Sequence, residues 1–203
     1  MKQKILITGL LLASTLPLPA QNPTQINQLL NSNSCQKCDL QGANLTGLSF
    51  SGANLAGAAL LNANLSGVNL SNSKLIVANL NRANLNNANL NNTDLYGAIL
   101  TGTDLRNATL INADLTNANL YLADLTGANL AGANLKSANL ESAKLKDANL
   151  AGATITNAIL CKATMPNGSI SQQGCPKPPA AETPAPPAPS PPAPAPPPPN
   201  PPK

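Results

Sequence analysis

Two groups of residues in this 203-residue chain have the types and spacings that chemistry uses. Cys35-x-x-Cys38 is a spacing shared by redox dithiols, half zinc sites and local disulfides, and Cys161 and Cys175 supply a second pair. Asp94 and Asp114, and likewise Asp104 and Asp124, are carboxylates that a coiled backbone could stack into cation sites or acid–base pairs. Histidine is absent, so Ser/His/Asp relays, Cys/His pairs and His-bearing metal sites are excluded. The sequence offers no nucleophile–base pair and no phosphate-cradling loop. No catalytic residue, cofactor or metal is therefore expected, and the chain is not read as an enzyme.

What positions these residues is a repeat. From Leu40 to Met165 an apolar residue returns every fifth position without insertion or deletion, Leu at 23 of 26 places and otherwise Phe50, Ile155 and Met165. Ala stands two places earlier in 20 of the 26 and Asn or Asp between them in 17, so the unit reads Ala-Asn-Leu-x-x. A period of five fits neither regular element. On a helix successive Leu would rotate by about 140° and circle the axis, and on one long strand every second Leu would flip outward. Only a backbone that turns once per pentad keeps them all inside, with Ala on the same inward face and the other three residues at the surface or the corner. Gly or Asn two places after Leu, as at Gly42, Gly47, Asn87 and Asn92, suits a turn that needs an unusual dihedral.

This Ala-Asn-Leu-x-x run closely resembles the pentapeptide repeat proteins. The resemblance implies an all-β fold, a right-handed quadrilateral β-helix with four pentads per coil, here about six and a half coils. At about 4.8 Å per coil the rod is roughly 30 Å long. Its narrow interior, filled by small Ala and large Leu, accounts for a chain with one Phe, two Tyr and no Trp. Twenty residues per coil would place Asp94 over Asp114 and Asp104 over Asp124. Asp is also the ordinary substitute for Asn at this position, where its side chain can bond local backbone. The same stacking puts Ile76 and Tyr96 on one face with Val77 and Ile99 near the adjoining corner, and Lys136 two coils beyond Tyr96. That apolar group is the candidate surface for a protein partner of unknown identity.

Solenoids expose raw core at both ends and need covers there. Residues 21–37 read as an N-terminal helical cap, with Pro23 near its start and Ile26, Leu29 and Leu30 on one stripe. Residues 38–170 read as the β-helix, ending in a turn at Pro166-Asn167-Gly168 and a last inward pair around Ile170. The two cysteine pairs then fall at opposite ends of a roughly 30 Å rod, whereas bridged Cα atoms lie within about 7 Å. This excludes one four-Cys zinc site and leaves the local pairs Cys35–Cys38 and Cys161–Cys175. A redox role for Cys35-x-x-Cys38 lacks the thioredoxin-like βαβ surroundings.

Residues 1–20 run from Lys2 and Lys4 through an apolar stretch to Leu18-Pro19-Ala20, the order of a secretory signal, with an uncleaved interfacial anchor as the alternative. The expected location is the periplasm, the thylakoid lumen or the cell exterior, without stable membrane insertion after cleavage. Removing both lysines lowers the formal charge from +4 to +2, which leaves no nucleic-acid footprint. Residues 171–203 read as a Pro-rich disordered tail: 16 of the 20 prolines lie between Pro176 and Lys203. It suits a spacer or tether, or a ligand for a proline-binding module.

The expected function is a non-catalytic structural or protein-interaction solenoid, monomeric and extracytoplasmic. Some pentapeptide repeat proteins mimic DNA and bind type II topoisomerases, which is the alternative; slight basicity and export stand against it. An ice-binding array is not read, because the ladder Ala56, Ile76, Tyr96, Thr116, Lys136, Thr156 is irregular.

Overall fold

The structure, a computed structural model, describes residues 22–176. The expected signal segment and the tail beyond Pro176 lie outside the described residues. From Ser34 onward the backbone coils with a period of 20 residues, each position bridging in parallel to the one 20 further on, as in Asn54↔Lys74 and Ile99↔Asn119. A pentad forms each of the four sides. Only single-residue bridges arise among the described residues of the coil, because a side holds just the three residues from Ala to Leu before the chain turns.

Every corner from Lys37 to Lys162 carries a left-handed residue two places after the inward Leu position. At the Leu55 corner, Gly57 has φ +68°, and the Ala58 N–H donates to the Leu55 carbonyl at 3.0 Å, the pattern of a type II turn. The pentad satisfies all of its backbone donors. Leu55 and Gly57 N–H donate to the Lys74 and Ile76 carbonyls of the next coil, and Ala59 N–H to Cys38 of the previous one, at 2.8–2.9 Å. Ala58 closes the corner, and Ala56 N–H donates to Asn54 Oδ1 at 3.3 Å. That last bond is why Asn or Asp precedes Leu: a short side chain ending in an acceptor oxygen reaches the N–H two residues on.

The inward Ala and Leu form one continuous core from Leu29 to Ala163. Where Ala is replaced by a hydroxyl residue, the buried oxygen donates to a core-side carbonyl: Thr93 Oγ1 to Leu70 and Thr103 Oγ1 to Leu80, each at 2.8 Å. A buried hydroxyl without such a partner would be destabilising.

Helix α1, Pro23–Ser32, packs on the first coil, with Leu29 fully buried and Ile26 partly so. Asn22 caps its start, accepting from Gln25 N–H, and left-handed Asn33 ends it. The coil begins one pentad earlier than the expected boundary at residue 38. Cys35 occupies a Leu position and Cys38 the following Ala position, both inward and buried, with Cα atoms 5.3 Å apart and sulfurs at 2.00 Å. The cysteines are thus part of the register, and their bond spans a corner inside the first coil.

The other end also differs from expectation. Gly168, at φ 81, reverses the chain instead of making another corner, and Thr164↔Ile170 pairs antiparallel. Ile170 is exposed rather than inward, because the returning segment lies along the edge of the last coil. Leu160 N–H donates to Gln173 O, Lys162 N–H to Ser171 O and Ser171 N–H to Ala163 O. Residues 171–175 therefore belong to the cap, not to the tail, and the Cys161–Cys175 bond, with Cα atoms 4.7 Å apart, fastens them.

Candidate interaction surface

Each side is named here by one of its inward leucines: Leu95, Leu100, Leu105 and Leu110. The repeat sets two rules for surface positions. Before Leu, a side chain with an acceptor oxygen is favoured; at the corner, the left-handed residue is favoured as Gly or Asn, which fill 18 of the corners from Lys37 to Lys162. Apolar departures from both rules converge on one side; the departures elsewhere, Lys74, Lys144 and Asp147, are charged.

Apolar residues stand before the inward Leu at Ala59, Ile99 and Ile159, all on the Leu100 side. None has a side-chain acceptor, so each gives up the Asn-to-backbone bond described above. Large apolar residues occupy the left-handed corner position at Val77, φ 49, and Leu122, φ 58, on the two corners that bound that same side. A left-handed L-residue costs about 1–2 kcal/mol, and β-branching makes Val77 a further outlier. Neither side chain is repaid by burial: they are 56% and 52% exposed. Val77 Cγ1 instead leans over Gly97 in the next coil, where a Cβ would stand 3.2 Å from it. Sequences break local rules chiefly where function requires it.

The tyrosines complete the pattern. Tyr96 shares the Val77 corner and Tyr121 the Leu122 corner, diagonally across the Leu100 side. Asn117 Nδ2 donates to Tyr96 Oη at 3.1 Å, holding that ring along the corner. Among the described residues of the coil, all six exposed large apolar side chains (Val77, Tyr96, Ile99, Tyr121, Leu122 and Ile159) lie on the Leu100 side or its two corners. The opposite, Leu110 side presents Ser49, Asn69, Asn89, Thr109, Asn129 and Asn149.

The nominated residues Val77, Tyr96 and Ile99 are exposed here, and Ile76 is half-buried on the same corner. Sequence reasoning missed Tyr121, Leu122 and Ile159. Reading the residue before each Leu in steps of twenty, Asp39, Ala59, Asn79, Ile99, Asn119, Asn139, Ile159, would have found the side, and the corner residues after it the tyrosine partner.

The carboxylate pairs stack as expected, Asp94↔Asp114 and Asp104↔Asp124. Each works locally: Asp94 accepts from Tyr96 N–H, Asp114 from Thr116 N–H and Oγ1, and Asp124 from Thr126 N–H and Oγ1. Lys144 Nζ stands 3.6 Å from Asp124. Asp104 receives Arg106 Nε at 2.8 Å and Nη2 at 2.6 Å, and this pair of hydrogen bonds holds its carboxyl below the usual range against the opposing effect of burial. No cluster of three or more His, Cys, Asp or Glu suited to a metal occurs among the described residues, and no described helix is long and apolar enough to cross a membrane.

The chain is similar in sequence to several solved proteins. One is HetL from the cyanobacterium Nostoc, a pentapeptide repeat protein involved in heterocyst differentiation regulation: 28% identity over 73% of this chain and 98% of that one, TM-score 0.27. Another is the pentapeptide repeat protein Rfr23 from the cyanobacterium Cyanothece: 30% identity over 68% and 93%, TM-score 0.35. A third is QnrB1, a plasmid-mediated fluoroquinolone resistance protein: 20% identity over 65% and 71%, TM-score 0.49. No curated protein matches the chain. The family described as pentapeptide repeats matches in eight copies, over residues 34–72, 63–102, 88–127, 103–141 and 123–160. On that match, which spans most of the coil, the chain belongs to the pentapeptide repeat family, whose fold is the right-handed quadrilateral β-helix.

Proposed function

We propose that this protein is a non-catalytic interaction scaffold that works outside the cytoplasm as a monomeric rod of about six and a half coils, closed by α1 at one end and tethered through its Pro-rich tail. A protein partner seats on the Leu100 side. The observation that carries this reading is the gathering of the apolar departures Ile99, Ile159, Val77 and Leu122 on one side and its corners, whereas the departures on the other sides, Lys74, Lys144 and Asp147, are charged. Family membership supports the non-enzymatic, partner-binding character. The apolar stretch after Lys2 and Lys4 supports export.

The test is capture with the purified rod, in parallel with Tyr96→Ala/Ile99→Asn and with the opposite-side variant Thr109→Ala. A partner retained by the first variant and lost by the second would sink the reading. Fusing residues 1–20 to a reporter active only after export tests the location. The topoisomerase alternative calls for a surface that imitates the phosphate array; here carboxylates mix with lysine and arginine, and the formal charge stays positive, +4 for the chain and +2 without Lys2 and Lys4. Inhibition of a topoisomerase by the purified rod would promote it.

A further inference from the structure

The Leu100 side ends where the tail begins. Cys175 is bonded to Cys161 on the corner that bounds this side, Gly174 packs so closely on Ile159 that a Cβ would stand 3.2 Å from its Cα, and Gln173 Nε2 donates to Ala158 O. The chain leaves the rod beside the last apolar residue of the strip.

We propose that the chain's own Pro-rich segment, residues 177–203, lies along the Leu100 side and covers it.

Three observations fit this occupant. Size is the first: from Ala59 to Ile159 is five coil steps, about 24 Å at 4.8 Å each, and a side of three extended residues is about 10 Å wide. Such a long, narrow strip has the footprint of one extended segment, the form in which a partner would also seat there. Reach is the second: a proline-rich chain extends about 3.1 Å per residue, so fewer than ten of the 27 tail residues span the strip. Chemistry is the third. Proline segments dock on exposed aromatic rings and offer carbonyl acceptors but few N–H donors. The strip supplies Tyr96 and Tyr121. On the same side, Asn79 and Asn119 already use their Oδ1 atoms to accept from Asn81 and Tyr121 N–H, which leaves their Nδ2 donors for outside carbonyls. Tethering raises the tail's effective concentration to the millimolar range, so weak stacking suffices. A partner would then compete with the tail for one surface.

The inference shares its surface with the reading above but needs no partner, so either can fail alone. Tyr96 and Tyr121 are the chain's two tyrosines, and their ring NMR signals can be compared in the full chain from residue 21 and in a chain ending at Pro176. Both ring signals are expected to differ between the two proteins, and a synthetic 177–203 peptide should shift them saturably in the shortened chain while leaving the Ile111 methyls, on another corner, at least fivefold less affected. Tyr96→Ala should raise several-fold the peptide concentration needed to shift Tyr121. Superimposable ring signals in the two lengths would overturn the proposal. So would shifts in the shortened chain that depend only on its own concentration, which would give the side to a second copy.

Discussion

The Leu100 and Leu110 sides are built on the same backbone and the same core, yet their surfaces part at Ala59, Ile99 and Ile159 and at the corners that carry Val77 and Leu122. The Leu110 side keeps polar residues before every leucine, with Asn69, Asn89, Asn129 and Asn149 each spending an acceptor on a neighbouring N–H or side chain where the geometry allows. The Leu100 side gives up that bond at Ile99 and Ile159 and accepts left-handed apolar residues at both corners. Since the coil needs neither concession, the difference separates what the fold requires from what the surface is for.

The largest effect should come from what both sides share. Leu105→Asp buries a charge in the middle of the stacked core and should remove at least about 4 kcal/mol, read as loss of cooperative thermal unfolding. Next, replacing both Cys161 and Cys175 by Ala opens a loop with a sequence separation of 14 and should lower stability by about 3 kcal/mol in denaturant titration. It should also release residues 171–175 from the edge of the last coil.

A reciprocal pair of corner substitutions probes the two sides directly. Val77→Asn should stabilise the rod by about 1 kcal/mol, and Asn72→Val, on the Leu110 side at φ 58, should destabilise it by a similar amount. The stabilised variant should bind more weakly on the Leu100 side; equal and opposite stability changes with unchanged binding would mean that Val77 has no surface role. The smallest effect concerns Asp104. Its lowered pKa means that the stabilisation from Arg106 is present above the ordinary carboxyl pKa and is lost as pH falls through the lowered value in the folded state. Arg106→Ala should move the Asp104 carboxyl titration upward in NMR, toward its ordinary range.

Much of this was legible in the residues. The five-residue period dictates a corner per pentad, and the Ala and Leu positions named the core, because a regular repeat leaves one backbone solution. The cysteine pairs followed from distance along a rod. The ends were less legible: Cys35 and Cys38 satisfy the inward pattern without being Ala or Leu, so the first pentad was hidden, and Gly168 reverses the chain where another corner could equally have formed. The surface was half legible. Ile76, Val77 and Tyr96 are adjacent on one corner, but Tyr121, Leu122 and Ile159 join them only across coils, a relation that depends on the spatial stacking rather than on neighbouring sequence.

That contacts of this rod concentrate on its Leu100 side is tested most directly by placing a photo-crosslinking residue at Ile99 in one protein and at Thr109 in another, each full length and expressed in cells. Discrete adducts, to the tail or to a partner, are expected from position 99 and not from 109. Equal adducts from both positions, or none from position 99, would contradict it.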